Sequence, residues 1–180
     1  MVDIRIIIEG GVLPHANVDV ATIVNSERLR EAFHKLFSQV IDPRFFNLVI
    51  ENGAGFINAA NTFKKYALQD ENATLLLDLD GPKLSKAHKL QELEIEALST
   101  RVFFMIQTME AWILSQPEIL IKYCDENFIR EKAGTDIINT EEEIFDIDPE
   151  EIVRPSEKLK TILGRYYSVI KGNVKKKKKY

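Results

Sequence analysis

Two apolar segments of this chain each end in carboxylates that are followed at once by residues that turn the chain. The first is IIIEGG at residues 6–11, and the second is LLLDLDGP at residues 75–82. A continuous run of isoleucine or leucine is typical of a strand that is buried on both faces of a parallel sheet. Since the carboxyl ends of parallel strands meet at one edge, we expect Glu9, Asp78 and Asp80 to converge there.

Three carboxylates at one sheet edge predict a site for Mg²⁺ or Mn²⁺. A magnesium ion needs only one or two protein carboxylates and keeps water or phosphate oxygens in its other positions. Asp78 and Asp80 are two residues apart and therefore point to the same face of a strand. Gly10 and Gly11 allow backbone and ion to approach each other closely. The other interpretation is that these acids simply end strands and form hydrogen bonds within turns.

The order of the apolar segments predicts an α/β fold with a mainly parallel sheet and helices on both faces. Strands are predicted at residues 4–8, 47–50 and 74–80. The first helix is predicted to begin with Ser26 as its N-cap and to stop at Asp42-Pro43, and a second helix is predicted at residues 55–68. The helical spacing of apolar residues predicts an inward face formed by Leu29, Phe33, Leu36, Phe37 and Val40.

The second half of the chain is less regular. Residues 83–98 are charge-rich and predict an exposed loop or helix, whereas residues 102–106 are apolar enough for a fourth strand, although a helix could equally begin there. Helices are predicted from Pro117 to Tyr123 and from Pro155 to about Leu163. Residues 141–151 carry seven acidic residues and are typical of a solvated loop.

Length and composition indicate one domain over residues 1–174. A chain of 180 residues with 45% hydrophobic residues can bury a full core. No apolar run approaches the ~20 residues that a membrane-spanning helix needs, and the first residues carry no basic leader, so we expect a cytoplasmic protein. Cys124 is the single cysteine and is expected to be an ordinary buried or half-buried side chain.

Charge is divided unevenly along the chain. The net charge is −4, but residues 175–179 are all lysine, so the rest of the chain carries 19 basic and 28 acidic residues, a charge of −9. An acidic body repels nucleic-acid phosphates unless metal ions or a partner supply positive charge. Residues 175–180 are expected to form a disordered basic tail, and the sharper alternative is a tail that follows phosphates.

The segment around Asp78 and Asp80 also resembles the first motif of haloacid-dehalogenase-type phosphatases. That family usually carries the motif on its first strand, with threonine or valine after the glycine, whereas here it lies on the predicted third strand and is followed by Pro82. A response-regulator receiver would place paired acids on the first strand. Both interpretations are therefore disfavoured.

A broader set of segments resembles an uncharacterised family of small prokaryotic proteins with a Toprim-like fold. The Met-Glu-Ala-Trp element at residues 109–112 is its most distinctive mark, and the Glu-Gly and Asp-x-Asp elements are shared with the wider Toprim superfamily of topoisomerases, primases and nucleases. The matching segments are residues 8–11, the helix at 29–37 with Arg30 and Phe33, Asn52-Gly53, residues 75–82 and residues 104–112.

The resemblance implies metal-dependent phosphodiester chemistry, that is, a nuclease or a related phosphoryl-transfer domain that acts on nucleic acid. Glu9 would then be a general acid/base or a metal ligand, and Asp78 and Asp80 would hold Mg²⁺ or Mn²⁺. The residues that would support this site are Gly10, Gly11, Arg30, Asn52, Gly53 and Glu110. Members of the family are often encoded beside an AAA-type or ABC-type ATPase in apparent defence loci, so a partner ATPase is expected.

The chain departs from the Toprim pattern at one acidic position. A second glutamate commonly follows the first by four residues, and Leu13 occupies that place here. Whether Glu110 replaces it is left open by the sequence. The alternative function is a non-catalytic interaction or regulatory subunit of an ATPase complex.

Deletion of residues 175–180 should leave the melting temperature nearly unchanged, because adjacent like charges repel each other and bury nothing. Thermal unfolding of the shortened and full chains checks this, and a large loss of stability would contradict it. If the tail binds nucleic acid, its deletion should reduce the slope of log affinity against log salt by several units at most.

Overall fold

The computed structural model describes residues 1–12, 19–69, 72–130 and 138–170. The chain divides into two compact units, the first formed by Met1–Leu79 with Leu84–Met105 and the second by Asp80–Lys83 with Ile106–Tyr180. The prediction of one domain over residues 1–174 stays a prediction. Leu13 and the predicted tail at 175–180 lie outside the described residues.

The first unit is built on a four-stranded parallel sheet in the order β2-β1-β3-β4. Its strands are β1 (Val2–Ile8), β2 (Phe46–Asn52), β3 (Ala73–Asp78) and β4 (Val102–Met105). In this register Ile8 is aligned with Asn52 on one side and with Leu76 on the other. The predicted α/β class and parallel sheet are therefore confirmed, and the choice of strand rather than helix after residue 102 is settled.

Burial of both faces of the sheet centre explains the continuous apolar runs. Ile6, Ile7 and Ile8 are all buried, as are residues 75–77 of β3. Because successive residues of a strand point to opposite faces, both faces of these strands are covered. Each such side chain contributes about 1.5–3 kcal/mol when it leaves water, so this strand pair is a major source of stability.

The helices of the first unit are α1 (Val20–Phe37), α2 (Phe56–Leu68) and α3 (Lys86–Glu92), with a short 3₁₀ helix at Glu96–Arg101. The predicted second helix is confirmed to within one residue, and Ala59, Ala60 and Phe63 form its buried face. Residues 83–98 contain a 3₁₀ turn at Lys83–Ser85, α3 and the start of the next 3₁₀ helix.

The predicted start of the first helix is wrong. Helix α1 begins seven residues earlier, at Val20, because Asp19 is its N-cap and accepts hydrogen bonds from the backbone and the hydroxyl of Thr22 at 3.0 and 2.7 Å. The side-chain hydrogen bond from Thr22 lowers the pKa of Asp19. Ser26 is instead a buried residue inside the helix.

The predicted inward face of α1 is confirmed only in part. Phe33 is buried and stacks on Phe37 at a ring-centroid distance of 6.0 Å. Leu36 and Val40 are 45% and 82% exposed. The helix ends at Phe37 rather than continuing to Asp42, so Val40 no longer lies on a helical face.

The second unit is a small helical assembly with a two-stranded antiparallel sheet. Its elements are α4 (Met109–Leu114), α5 (Pro117–Asn127), β5 (Phe128–Arg130), α6 (Pro155–Tyr166) and β6 (Tyr167–Ile170), with 3₁₀ turns at Ile138–Thr140 and Pro149–Glu151. Cys124 is buried in its core, as expected. The predicted helices after Pro117 and Pro155 are confirmed and extend to Asn127 and Tyr166.

The acidic stretch 141–151 is held in the second unit by one buried apolar side chain and by hydrogen bonds to its carboxylates. Ile144 is buried in the core of this unit. Arg165 binds the carboxylates of Glu141 and Glu143, and the Tyr166 hydroxyl donates to Glu141 at 2.6 Å.

In the described ranges, no helix is both long and apolar enough to cross a membrane.

Gly53 packs so closely on α2 that any side chain would collide with it. A Cβ atom at this position would lie 2.3 Å from the Cβ and 2.6 Å from the Cα of Ala59. Gly53→Ala should therefore reduce the free energy of unfolding by about 1–3 kcal/mol, measured by urea denaturation.

Gly164 in α6 offers the matched control, because a Cβ there would meet nothing within 4 Å. Gly164→Ala should raise stability by about 0.5–1 kcal/mol through its higher helix propensity. Equal effects of the two substitutions would contradict the tight packing at Gly53.

Candidate functional site

The strand order of the first unit creates a switch point between β1 and β3. The chain passes from β1 to β2 on one side of β1 and then to β3 and β4 on the other side. In open parallel sheets, ligands bind in the crevice outside the carboxyl ends of the strands at such a point. Glu9 directly follows β1 and Asp78 ends β3, so both predicted residues lie at this switch point.

The carboxylate of Glu9 is held against the backbone of Asp78. The Asp78 amide donates a hydrogen bond to Glu9 Oε2 at 3.1 Å, and the Glu9 amide donates to the Leu76 carbonyl at 3.0 Å. Both acidic residues are half-buried. The structure therefore places two of the three predicted residues side by side at the ends of adjacent strands.

Gly10 and Gly11 form the loop that follows Glu9, and both need glycine. Their φ angles are +96° and +67°, a region that other residues rarely adopt. A Cβ atom on Gly11 would also lie 2.6 Å from Asn52 Cγ and 2.7 Å from Ser26 Oγ. The predicted supporting role of these glycines thus has a physical basis in the path of the loop.

Asn52 lies at the end of β2 and contacts this loop through Ser26. Its Nδ2 donates to Ser26 Oγ at 2.7 Å and to the Ser26 carbonyl at 3.0 Å. Asn52 Oδ1 is buried and has no hydrogen-bond partner in the described part of the chain. Beside it, the Gly53 amide donates to the Ile8 carbonyl at 2.9 Å, which continues the pairing of β1 and β2 past the strand end.

Ser26 is the residue of this region that the sequence interpretation misplaced. It was predicted to cap a helix, but its hydroxyl oxygen accepts hydrogen bonds from the Val12 amide at 3.0 Å and from Asn52. The spacing of Ser26, Leu29 and Phe33 along one helical face was the available signal that this serine points inward.

Asp80, the third predicted carboxylate residue, belongs to the second unit. It is exposed, has a φ of +55°, and its amide donates to the Gln107 carbonyl at 2.7 Å. It lines a cavity of about 500 Å³ together with Gln107, Thr108, Glu150 and Arg154. Gln107 and Arg154 also have positive φ angles, of 61° and 53°. The convergence of all three predicted carboxylates stays a prediction.

Arg30 and Glu110 were the remaining predicted supporting residues. Arg30 is exposed on α1, one turn after Ser26. Glu110 lies in the first turn of α4 in the second unit and accepts a hydrogen bond from the Thr108 hydroxyl at 2.6 Å. The supporting role of Glu110 therefore stays a prediction.

Opposing influences act on the ionisation of Glu110. Burial, the largest of them, acts to raise its pKa, but hydrogen bonds from Thr108, its own backbone amide and Ser156 together lower the pKa below the ordinary glutamate value. The ionised form of Glu110 is therefore favoured in the folded protein.

The described part of the chain contains no group of three or more histidine, cysteine, aspartate or glutamate side chains arranged to hold a metal ion. Comparison of the chain with known protein families, curated proteins and solved structures gave no match. The Toprim-like resemblance therefore stays a prediction.

Glu110→Gln should reduce the free energy of unfolding at pH 7 by about 1 kcal/mol, because glutamine accepts the Thr108 hydrogen bond less strongly. A lowered pKa in the folded state gives stability that is present above the ordinary glutamate pKa and lost as the pH falls through the lowered pKa. Urea denaturation across this range should make wild type and variant converge in acid.

The control is Glu118→Gln, which changes an exposed glutamate in the first turn of α5. It should alter stability less than Glu110→Gln at pH 7. A difference between wild type and Glu110→Gln that persists unchanged in acid would contradict the assigned hydrogen bonds.

Proposed function

We propose that Glu9 and Asp78 bind Mg²⁺ or Mn²⁺ and that the chain acts in metal-dependent phosphoryl transfer on nucleic acid. The observation that carries this proposal is the 3.1 Å hydrogen bond from the Asp78 amide to Glu9 Oε2 at the switch point of a parallel sheet. It fixes the Glu9 carboxylate beside the residue that supplies the second carboxylate.

The donor set fits a hard divalent cation. Both side chains offer oxygen only, and Mg²⁺ accepts one or two protein carboxylates while it keeps oxygen ligands from water and phosphate. Asp80, two residues after Asp78, is the candidate for a third ligand.

The residues of this chain would divide the chemistry between them. A bound divalent ion supplies Lewis-acid polarisation of a phosphate oxygen and stabilises the charge that develops on it. Asp78 would hold the ion, and Glu9 would either share that role or move a proton to or from the reacting oxygen. The Gly10-Gly11 loop would hold the backbone that follows Glu9, since its positive φ angles and its close packing on Ser26 and Asn52 require glycine.

The nuclease activity, the Toprim-like family and the partner ATPase of a defence system form one proposal, supported by the order of the motifs along the chain. The charge of −9 outside residues 175–179 adds a physical reason for a partner, since an acidic body needs another source of cations to engage nucleic acid. Location in the cytoplasm belongs to the same proposal.

Asp78→Asn should abolish the rise in melting temperature that Mg²⁺ or Mn²⁺ produces in the wild type, because an amide is a much weaker ligand than a carboxylate. Glu9→Gln should keep part of the rise if its main role is proton transfer, but it should remove nuclease activity. Differential scanning fluorimetry with a metal series, together with cleavage of labelled DNA and RNA, measures both effects.

Asp3→Asn is the matched control at the opposite end of β1, where Asp3 is exposed. It should respond to metal as the wild type does. Asp80→Asn reports separately on the third predicted ligand. A wild-type protein whose melting temperature does not change with either metal would refute the proposed site.

A non-catalytic subunit of an ATPase complex is the second candidate function. The observation that favours it is a set of exposed apolar side chains on α4 and α5 of the second unit. Trp112, Ile119 and Tyr123 are 40%, 64% and 57% exposed. Exposed aromatic residues are common in protein interfaces. Metal binding without cleavage of any nucleic acid, in the presence of the ATPase, would favour this candidate.

A further inference from the structure

Ser26 is a buried polar residue on a helix whose neighbouring side chains are largely exposed. It is 6% exposed, while Asn25 and Glu27 on either side of it are exposed. A buried hydroxyl requires hydrogen-bond partners. Its oxygen accepts from the Val12 amide at 3.0 Å and from Asn52 Nδ2 at 2.7 Å, and these bonds tie α1 to two other segments.

The segments that Ser26 joins are the end of β2 and the loop that carries Glu9. Asn52 directs its Nδ2 group to both oxygens of Ser26, while the Val12 amide anchors the far end of the glycine loop to the same hydroxyl. On the other side of the loop, the Ala54 amide donates to the Gly10 carbonyl at 3.0 Å. The backbone that follows Glu9 is thus held from both sides.

One group of Asn52 has no partner among the described residues. Its Oδ1 is buried there and accepts no hydrogen bond from them, and such a group costs free energy. A residue that only filled space at the strand end could be apolar and would avoid this cost. The retained amide therefore points to a role for its Nδ2 group, which holds Ser26 and, through it, the loop.

We propose that Ser26 and Asn52 are positioning residues that set the orientation of the Glu9 carboxylate towards Asp78. The importance of that orientation for metal binding rests on the function proposed above, but the orientation itself can be measured without metal. Neither residue is assigned a contact with substrate or ion. Both act on Glu9 through the backbone of residues 10–12.

The Asp78 amide reports directly on Glu9, because it donates to Glu9 Oε2. In two-dimensional NMR of the metal-free wild type at one fixed pH, the Asp78 amide should exchange slowly with solvent deuterium, and Glu9→Ala, which removes the acceptor, should speed that exchange. In Ser26→Ala and Asn52→Ala, hydrogen exchange of the Asp78 amide should become about tenfold faster, as expected for a weakened hydrogen bond.

Asn47→Ala is the matched control, since Asn47 lies at the other end of β2 and donates to Asp3 at 3.0 Å. It should leave the Asp78 amide unchanged even if it lowers the melting temperature. A residue with a merely structural role would lower the melting temperature without speeding hydrogen exchange of the Asp78 amide relative to the other amides of β3.

An Asp78 amide that behaves as in wild type in both Ser26→Ala and Asn52→Ala would overturn the inference. Ser26→Ala removes a single oxygen atom and decides the matter if Asn52→Ala does not fold. Because this readout uses no metal, its failure is distinct from failure of the metal titration. If the wild type binds no metal but the Asp78 amide exchanges faster in both variants, the proposed function is refuted and the positioning role is kept.

Discussion

The pairing of β1 with β3 is the constraint on which the first unit depends. Residues 6–8 and 75–77 are buried on both faces of the sheet, so each strand needs the other and also needs helices above and below it. The same pairing places the ends of the two strands side by side. Glu9 and Asp78 are therefore neighbours because the apolar residues before them form the core, and the candidate site follows from the packing of the sheet.

The sequence predicted the parts of this fold that depend on local pattern. Continuous apolar runs identified β1 and β3, and helical spacing identified α2 to within one residue. The start of α1 was predicted wrongly, because Ser26 is as good an N-cap by composition as Asp19. The hydrogen bonds from Thr22 to Asp19, together with the burial of Ser26 against Asn52 of β2, decide between them. Contacts of that kind are not encoded in spacing along one segment.

The candidate site was predictable to a similar extent. The convergence of Glu9 and Asp78 followed from the rule that parallel strands end at one edge, and their hydrogen bond agrees with it. Asp80 leaves the strand, adopts a left-handed conformation and pairs its amide with Gln107, a residue that no strand pattern would connect with it. The contact of Ser26 with Asn52 escaped prediction because a serine inside a helix carries no motif that identifies its partner.

The strand order also has a consequence for synthesis of the chain. β1 is made before its neighbours β2 and β3, and it occupies an interior place in the finished sheet. Until residues 73–78 have emerged, Ile6, Ile7 and Ile8 lack one of the two strands that flank them in the native state. Parallel pairing of distant segments is slow and leaves apolar surface open to aggregation. The isoleucines of β1 are therefore the segment of the first unit that stays exposed longest during synthesis.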